Sequence, residues 1–383
     1  MPALDNQLTV EPSPFLEKIK KAPLTTENLV GAAPVGINGG FGFGAEGADT
    51  PNAGAMNDVR YTLQSKDLYV DVQISHKTIT LGQSNKSVII NAVEQEIDSS
   101  YQSAKWNIGR SLFGDGTGVL AHLAAAAAVG DDTIYVDTAD FLIEGLMIDL
   151  FASSSATSPA DTLRVKAVSR VPDTNGYYEV VLNGDIGTAL SAGGFVTVQS
   201  SYNRELTGLG AIYDSSIATL YGLSKADHRH LVPTSVSANH DLTDIVLYDA
   251  VKNARRYKNA KIDLIMMGDE AFAAYQRYMI ESNVSVVRDR QFVGGTSGIT
   301  VLVGDQMVDI VNEHFVPSTK AWGVDTTAFT YFSTPWDFAS YNGSSAFVLI
   351  PHTSIYRALL ASYGELMCKN PGGCIEITDC DDQ

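Results

Sequence analysis

The stretch Ile89–Phe113 constrains this chain more than any other. Apolar residues at Ile90, Val93, Ile97, Tyr101, Ala104, Ile108 and Leu112 stand 3, 4, 4, 3, 4 and 4 residues apart, the repeat of one helix face. Glu94, Glu96, Asp98, Lys105 and Arg110 lie between them, which predicts a wet opposite face. Asn91 is the expected cap, and Gly114-Asp115-Gly116 the expected stop. The acids cluster towards the N-terminal end and Arg110 towards the other, as the helix dipole favours. At ~1.5 Å per residue the helix runs for roughly 35 Å. That is long for a compact enzyme domain and suits a strut on which other parts lean.

The chain has 383 residues, enough for two or three domains with a real core. Hydrophobic residues make up 45% and charged residues only 18%, which predicts that much of the surface is covered by further copies of the same chain. A net charge of −18 excludes a fold built as a nucleic-acid grip or an anionic-membrane binder. The N-terminal stretch is acidic and Pro-rich without an apolar segment, so no secretory leader is read there. The longest apolar run, Val119–Val129, is mostly alanine, contains His122 and is too short to span a bilayer. These features predict folding in the cytoplasm. Cys368, Cys374 and Cys380 follow a C-x5-C-x5-C spacing that matches no zinc pattern. They read as a reduced tail, with a disulfide within or between tails as the alternative.

Residues 1–56 lack periodicity, carry six prolines and the run Gly39-Gly40-Phe41-Gly42-Phe43-Gly44, and are expected to be an extended arm, with a short helix near Phe15–Ala22. Residues 57–88 read as a hairpin. Val59, Tyr61 and Leu63 alternate with polar residues, as do Leu68, Val70, Val72 and Ile74, and Ser65-Lys66-Asp67 is the predicted turn. After the long helix, 119–204 reads as short strands at Thr133–Val136, Leu146–Leu150, Thr162–Val171, Tyr177–Leu182 and Phe195–Val198. Their spacing predicts a small β-barrel or sandwich inserted into a host fold. The host resumes at 205, loop-rich over 215–242. A helix is expected over Asp241–Tyr257, with Ile245, Tyr248, Val251, Ala254 and Tyr257 on one face and Lys252, Arg255 and Arg256 on the other. A buried strand at Lys261–Gly268 and a helix at Asp269–Ser282 follow, then strands at Ile299–Val303, Val308–Val311, Trp322–Phe332, Ala346–Pro351 and Ile355–Ile377. The whole reads as α+β.

Catalytic constellations are weak. The Gly run is not a phosphate loop, since no Lys-Ser or Lys-Thr follows it. His228, His230 and His240 lie beside Asp227 and Asp241 in an apparent loop, and read as surface histidines rather than a metal site. Ser235 and Ser237 lack a nucleophile elbow. No catalytic, metal or cofactor residue is therefore expected. Lys252, Arg255, Arg256 and Lys258 form a basic cluster in an acidic chain, a wet helix face or a partner for acids on a neighbouring copy.

The order of elements adds a resemblance. A loose arm, a hairpin, a long helix ending in Phe113-Gly114-Asp115-Gly116, a return at Thr207-Gly208-Leu209-Gly210, and the helix–strand–helix through Asp244–Val251, Ile262–Gly268 and Asp269–Tyr275 resemble the major capsid proteins of tailed double-stranded-DNA bacteriophages, the Hong Kong 97 fold. The match covers most of 1–118 and 205–383 and rests on architecture more than on motifs. It implies an N-arm at 1–56, an extended loop at 57–88, and a spine helix of a peripheral domain at 89–118. It further implies a peripheral return at 205–240, an axial domain at 241–344 and peripheral C-terminal strands at 345–383. The segment 119–204 departs from the minimal fold and is similar to insertion domains. The implied function is a non-enzymatic shell subunit that assembles into hexamers and pentamers around double-stranded DNA without reading its sequence. Implied partners are a scaffolding protein, a portal and a decoration protein, with no membrane and no cofactor. Contacts between copies are expected at Phe41, Phe43, Ser65, Lys66, Asp67, Lys252, Arg255 and Arg256. The alternatives are an encapsulin-type compartment shell and a metal-dependent hydrolase using residues 227–241.

Overall fold

The computed structural model describes residues 13–34, 39–44, 46–47, 49, 52, 54, 58–77, 86–282, 288–291, 297–303, 306–338, 348–351 and 353–381. The chain divides into two compact units, Met1–Phe113 with Leu209–Gln383, and Gly114–Gly208.

The larger unit begins with α1, Pro14–Lys18. Ser13 caps it by accepting the Leu16 N–H, and Pro14 supplies the fixed φ that suits a first turn. Phe15 and Leu16 are fully buried. Strand β1 (Lys20–Pro23) then lies parallel to β19 (Phe329–Ser333). Lys18 reaches Asp309 at 2.7 Å, and Asp309 also accepts the Thr300 hydroxyl at 2.6 Å. Residues 13–23 are thus seated in their own unit, because two apolar side chains and an ion pair anchor them.

The predicted hairpin over 57–88 does not form. Strand β3 (Asp58–Gln64) pairs with β2 (Asn28–Pro34), within the stretch expected to be an arm. Strand β4 (Lys66–Ser75) pairs instead with β22 (Ile355–Cys368) over ten residues. Only Ser65 separates β3 from β4, and one residue cannot reverse the chain into a tight hairpin, which needs at least about two. Along its other edge β22 takes β19, β20 (Asp337–Phe338) and β21 (Val348–Leu349) in succession.

Helix α2 spans Lys86–Phe113, 28 residues, or roughly 42 Å at ~1.5 Å per residue. It starts before Asn91, which lies inside it rather than capping it. Tyr101, Ile108 and Leu112 are buried and Asp98 is exposed, whereas the side chains of Ile90, Val93, Glu94, Glu96 and Ile97 lie outside the described residues. Arg110 departs from the expected wet face. It is 5% exposed, and its guanidinium lies 5.9 Å over the Trp106 ring, where the cation meets a π face instead of water. At the C-terminal end Phe113 meets Phe15 and stacks on Trp322, which stacks in turn on Tyr213 of α3 (Leu209–Tyr213).

A second sheet of the same unit has seven strands. Their order is β13 (Thr234–Ser237), β23 (Ile375–Thr378), β18 (Ala321–Val324), β14 (Leu264–Met267), β17 (Gln306–Asn312), β16 (Ser297–Val303) and β15 (Arg288–Gln291). Strand β14 is buried along its whole length, as a continuous apolar run in a central strand should be. Helices α4 (Asp244–Lys258) and α5 (Asp269–Glu281) bury Leu247, Ala250, Val251, Ala254, Ala271 and Tyr275 in this sheet's core. Asn259 ends α4 in the left-handed region, φ 50°. Gly268 precedes α5 where any Cβ would collide with the Pro317 carbonyl. The short strands β11 (Thr219–Leu220) and β12 (Leu223–Ser224) form a small hairpin turned by Tyr221 and Gly222, both at positive φ. Order thus extends into the region expected to be loop-rich.

The smaller unit is one six-stranded sheet, β5 (Val119–His122), β10 (Phe195–Val198), β7 (Met147–Phe151), β8 (Asp161–Val168), β9 (Tyr178–Leu182) and β6 (Thr133–Val136). A bridge between Leu123 and Val136 joins its two ends and closes the sheet into a small barrel. Ile134, Val136, Leu142, Ile148, Leu150, Val180 and Val196 fill the interior. Asp149 is buried but satisfied, accepting the Thr162 hydroxyl and the Ser200 N–H. The ends of the unit meet, since the Asn203 N–H donates to the Thr117 carbonyl at 2.8 Å.

Candidate assembly surfaces

The residues expected to contact other copies fall into three separate places. Ser65, Lys66 and Asp67 are not a turn. Ser65 is a corner whose N–H donates to the Glu27 carbonyl, and Lys66 and Asp67 are paired with Gly364 and Tyr363 inside the sheet. They sit at the root of the β2–β3 ribbon.

Phe41 and Phe43 belong to the segment joining the far end of that ribbon. The ribbon itself is seven paired residues long, roughly 23 Å at ~3.3 Å per residue. Both rings are bare to solvent, 79% and 95% exposed, and they meet edge to face at 5.2 Å. Two exposed phenyl rings side by side mark an apolar patch that a lone chain leaves wet. The ribbon is held at its middle. Gly31 faces Tyr61 in the ladder, where any Cβ would collide with the Tyr61 ring. Tyr61 packs on Tyr221, and the Tyr221 hydroxyl accepts the Cys368 N–H at 3.0 Å.

Lys252, Arg255 and Arg256 are exposed on α4, but not alone. Ile245 is 71% and Tyr248 45% exposed on the same stripe, and Tyr257 is 67% exposed. The expected apolar face through Ile245, Tyr248, Val251, Ala254 and Tyr257 is therefore wrong. A repeated spacing of three falls about 60° short of a turn each time and walks around the helix. The buried stripe is Leu247, Ala250, Val251 and Ala254. Helix α5 exposes Glu270, Ala273, Arg277 and Ile280, the last at 76%. Sequence reasoning missed these apolar outliers; their signal was a misfit to the core stripe.

The remaining titratable groups are held by their surroundings. His228 and His230 have ring centroids 5.5 Å apart, and burial, then His228 and Lys258, push the His230 imidazole below its usual range. His240 instead pairs with Asp381 at 2.7 Å. Among the described residues no three His, Cys, Asp or Glu side chains converge as metal ligands. The three cysteines are free thiols, all buried, and Cys374 opens onto β23, an interior strand rather than a tail. Burial raises the Cys368 thiol and pushes Cys380 up to about 12. Glu313 is 5% exposed, and its Oε2 has no hydrogen-bond partner. Burial pushes its carboxyl up to about 8, against hydrogen bonds from the Phe315 N–H and the Ser13 hydroxyl.

No protein-family model matches the chain, and no curated protein matches it. Solved structures do. A chain of the cyanophage A-1(L) capsid asymmetric unit superposes with a TM-score of 0.56 at 12% identity, over 97% of this chain and 93% of that one. This chain has the fold of a phage capsid subunit. The capsid of a native GTA particle covers 98% of this chain at a TM-score of 0.48 and 8% identity. The holo-SrpI encapsulin complex from Synechococcus elongatus PCC 7942 covers 97% at a TM-score of 0.47 and 10% identity. No helix among the described residues is long and apolar enough to cross a membrane.

Proposed function

We propose that the chain is a major capsid protein that builds hexamers and pentamers of an icosahedral head enclosing phage double-stranded DNA. The observation that carries this reading is the β2–β3 ribbon, rooted in its own unit and ending at the bare Phe41–Phe43 pair, within a capsid fold. Such a projection gains by lying across a neighbour. Each contact is weak, but closed symmetry repeats it many times.

In this reading α2 is the spine of the peripheral domain, and the β2–β3 ribbon takes the part of the extended loop, in place of 57–88. The seven-stranded sheet with α4 and α5 belongs to the axial domain, and Gly114–Gly208 is an inserted domain. Lys252, Arg255 and Arg256 contact the next copy, as do Ser65, Lys66 and Asp67 at the ribbon root. The net charge of −18 keeps the inner wall from gluing packaged DNA, so DNA is enclosed without sequence-specific binding. Scaffolding, portal and decoration proteins are the partners of assembly in the host cytoplasm, and the virion is the destination. The role is structural rather than enzymatic.

The test is particle formation. Purified wild-type protein should give capsomers or closed shells by negative-stain microscopy and light scattering. Phe41→Ser with Phe43→Ser should keep the melting temperature and lose the shells. A wild-type protein that stays monomeric at all concentrations refutes the reading.

A further inference from the structure

Helices α4 and α5 present two exposed stripes that match each other when antiparallel. The α4 stripe is apolar at its N-terminal half, with Ile245 and Tyr248, and cationic at its C-terminal half, with Lys252, Arg255 and Arg256. The α5 stripe runs the other way, acidic at its start with Glu270 and apolar at its end with Ile280. Ten residues separate Ile245 from Arg255 and ten separate Glu270 from Ile280, roughly 15 Å each at ~1.5 Å per residue.

We infer that α4 of one copy docks antiparallel on α5 of the next, head to tail, in the ring of a capsomer; this rests on the shell reading above. Ile280 meets Ile245, and Glu270 meets Arg255 and Arg256. Between them Arg277 faces Tyr248 and Asp249, and the small Ala273 makes room for Lys252. An apolar core flanked by opposite charges is how specific interfaces are built. Neither stripe matches itself antiparallel, since Ile245 would face Arg255 in one and Glu270 would face Ile280 in the other, an apolar side chain against a charge each time. The contact is therefore heterologous, the kind that closes into rings. Both helices pack on the same seven-stranded sheet core through their other faces, so the exposed stripes point away from that core.

The experiment uses the full chain, with sedimentation velocity and negative-stain microscopy, and with circular dichroism to show that variants fold. Ile245→Asp and Ile280→Asp should each lose capsomers, assembled mass falling at least tenfold. Mixed together they should give dimers and nothing larger, because each contributes one intact stripe. Glu270→Arg alone and Arg255→Glu with Arg256→Glu should each lose assembly, and the combined triple variant should recover it. If the folded Ile variants assemble like wild type, or their mixture closes full particles, the docking is refuted. Reversed charges that fail to rescue each other refute the register. A wild-type chain that never assembles refutes the shell reading itself, an outcome distinct from assembly that ignores these substitutions.

Discussion

Glu313 should make the larger unit lose stability as pH rises. Its carboxyl is buried beside α1, one oxygen has no partner, and desolvation lifts its pKa from 4.5 to about 8. Below about pH 4.5 the group is protonated both folded and unfolded, and its stabilising share is fully present. Between 4.5 and 8 the unfolded chain gives up the proton while the folded one holds it, so stability falls by ~1.4 kcal/mol per pH unit. Above 8 the loss levels off. Across the whole window the cost is on the order of 5 kcal/mol, a large share of a domain's net stability. His230 works against this trend only on the acid side, because its imidazole is pushed down and sheds its unfavourable charge before pH reaches 6.5. A matched variant separates the two. Urea unfolding should be followed by tryptophan fluorescence on dissociated subunits from pH 5 to 9. Trp106, Trp322 and Trp336 all lie in the larger unit, so the signal reports that unit alone. Glu313→Gln keeps an acceptor for the Phe315 N–H and the Ser13 hydroxyl. It should flatten the decline and be the more stable protein at pH 8.5. Equal slopes for wild type and Glu313→Gln would show that the carboxyl is not held protonated and refute the reasoning.

Three further outcomes are expected. Gly268→Ala forces a Cβ into the Pro317 carbonyl, which is backbone and cannot step aside, so thermal melts should show at least ~2 kcal/mol of destabilisation. Lys18→Ala leaves Asp309 buried at 4% exposure without its cation, and should cost roughly 3–5 kcal/mol in urea titrations; Thr300 retains one hydrogen bond and keeps the loss from being larger. Cys368, Cys374 and Cys380 should resist a thiol reagent in the native protein and react together once urea unfolds it, because burial puts all three sulfurs out of reach and raises the Cys368 and Cys380 thiols.

What could be read from the residues alone followed the range of the forces involved. Helix periodicity is local, so the long helix, the start of α5 at Asp269, and strands such as Thr133–Val136 and Phe195–Val198 stand where the pattern predicts. Pairing is not local. Strands β3 and β4 each alternate well, and neighbours in sequence invite pairing, yet their partners lie some 30 and 290 residues away. The one legible warning was Ser65, too short a link for a hairpin. Burial of single charged residues was also illegible. Arg110 sits in a register that predicts water, yet its guanidinium lies over the ring of Trp106 one turn earlier.

The misread face of α4 shows how a wrong period hides a surface. A spacing of three puts the apolar Ile245 and Tyr248 on the core side, and leaves Lys252, Arg255 and Arg256 as a wet face or a partner for acids on a neighbouring copy. Placing the true core on Leu247, Val251 and Ala254 joins Ile245 and Tyr248 to Lys252, Arg255 and Arg256 in one exposed stripe. A solvated helix face has no use for an isoleucine at 71% exposure beside three cations, whereas an interface uses both, the first for desolvated area and the second for register. The same logic applies to Ile280 at 76% on α5 and to the paired rings of Phe41 and Phe43. On the proposed shell reading, these outliers, on α4, on α5 and after the β2–β3 ribbon, are the apolar surface that neighbouring copies would cover.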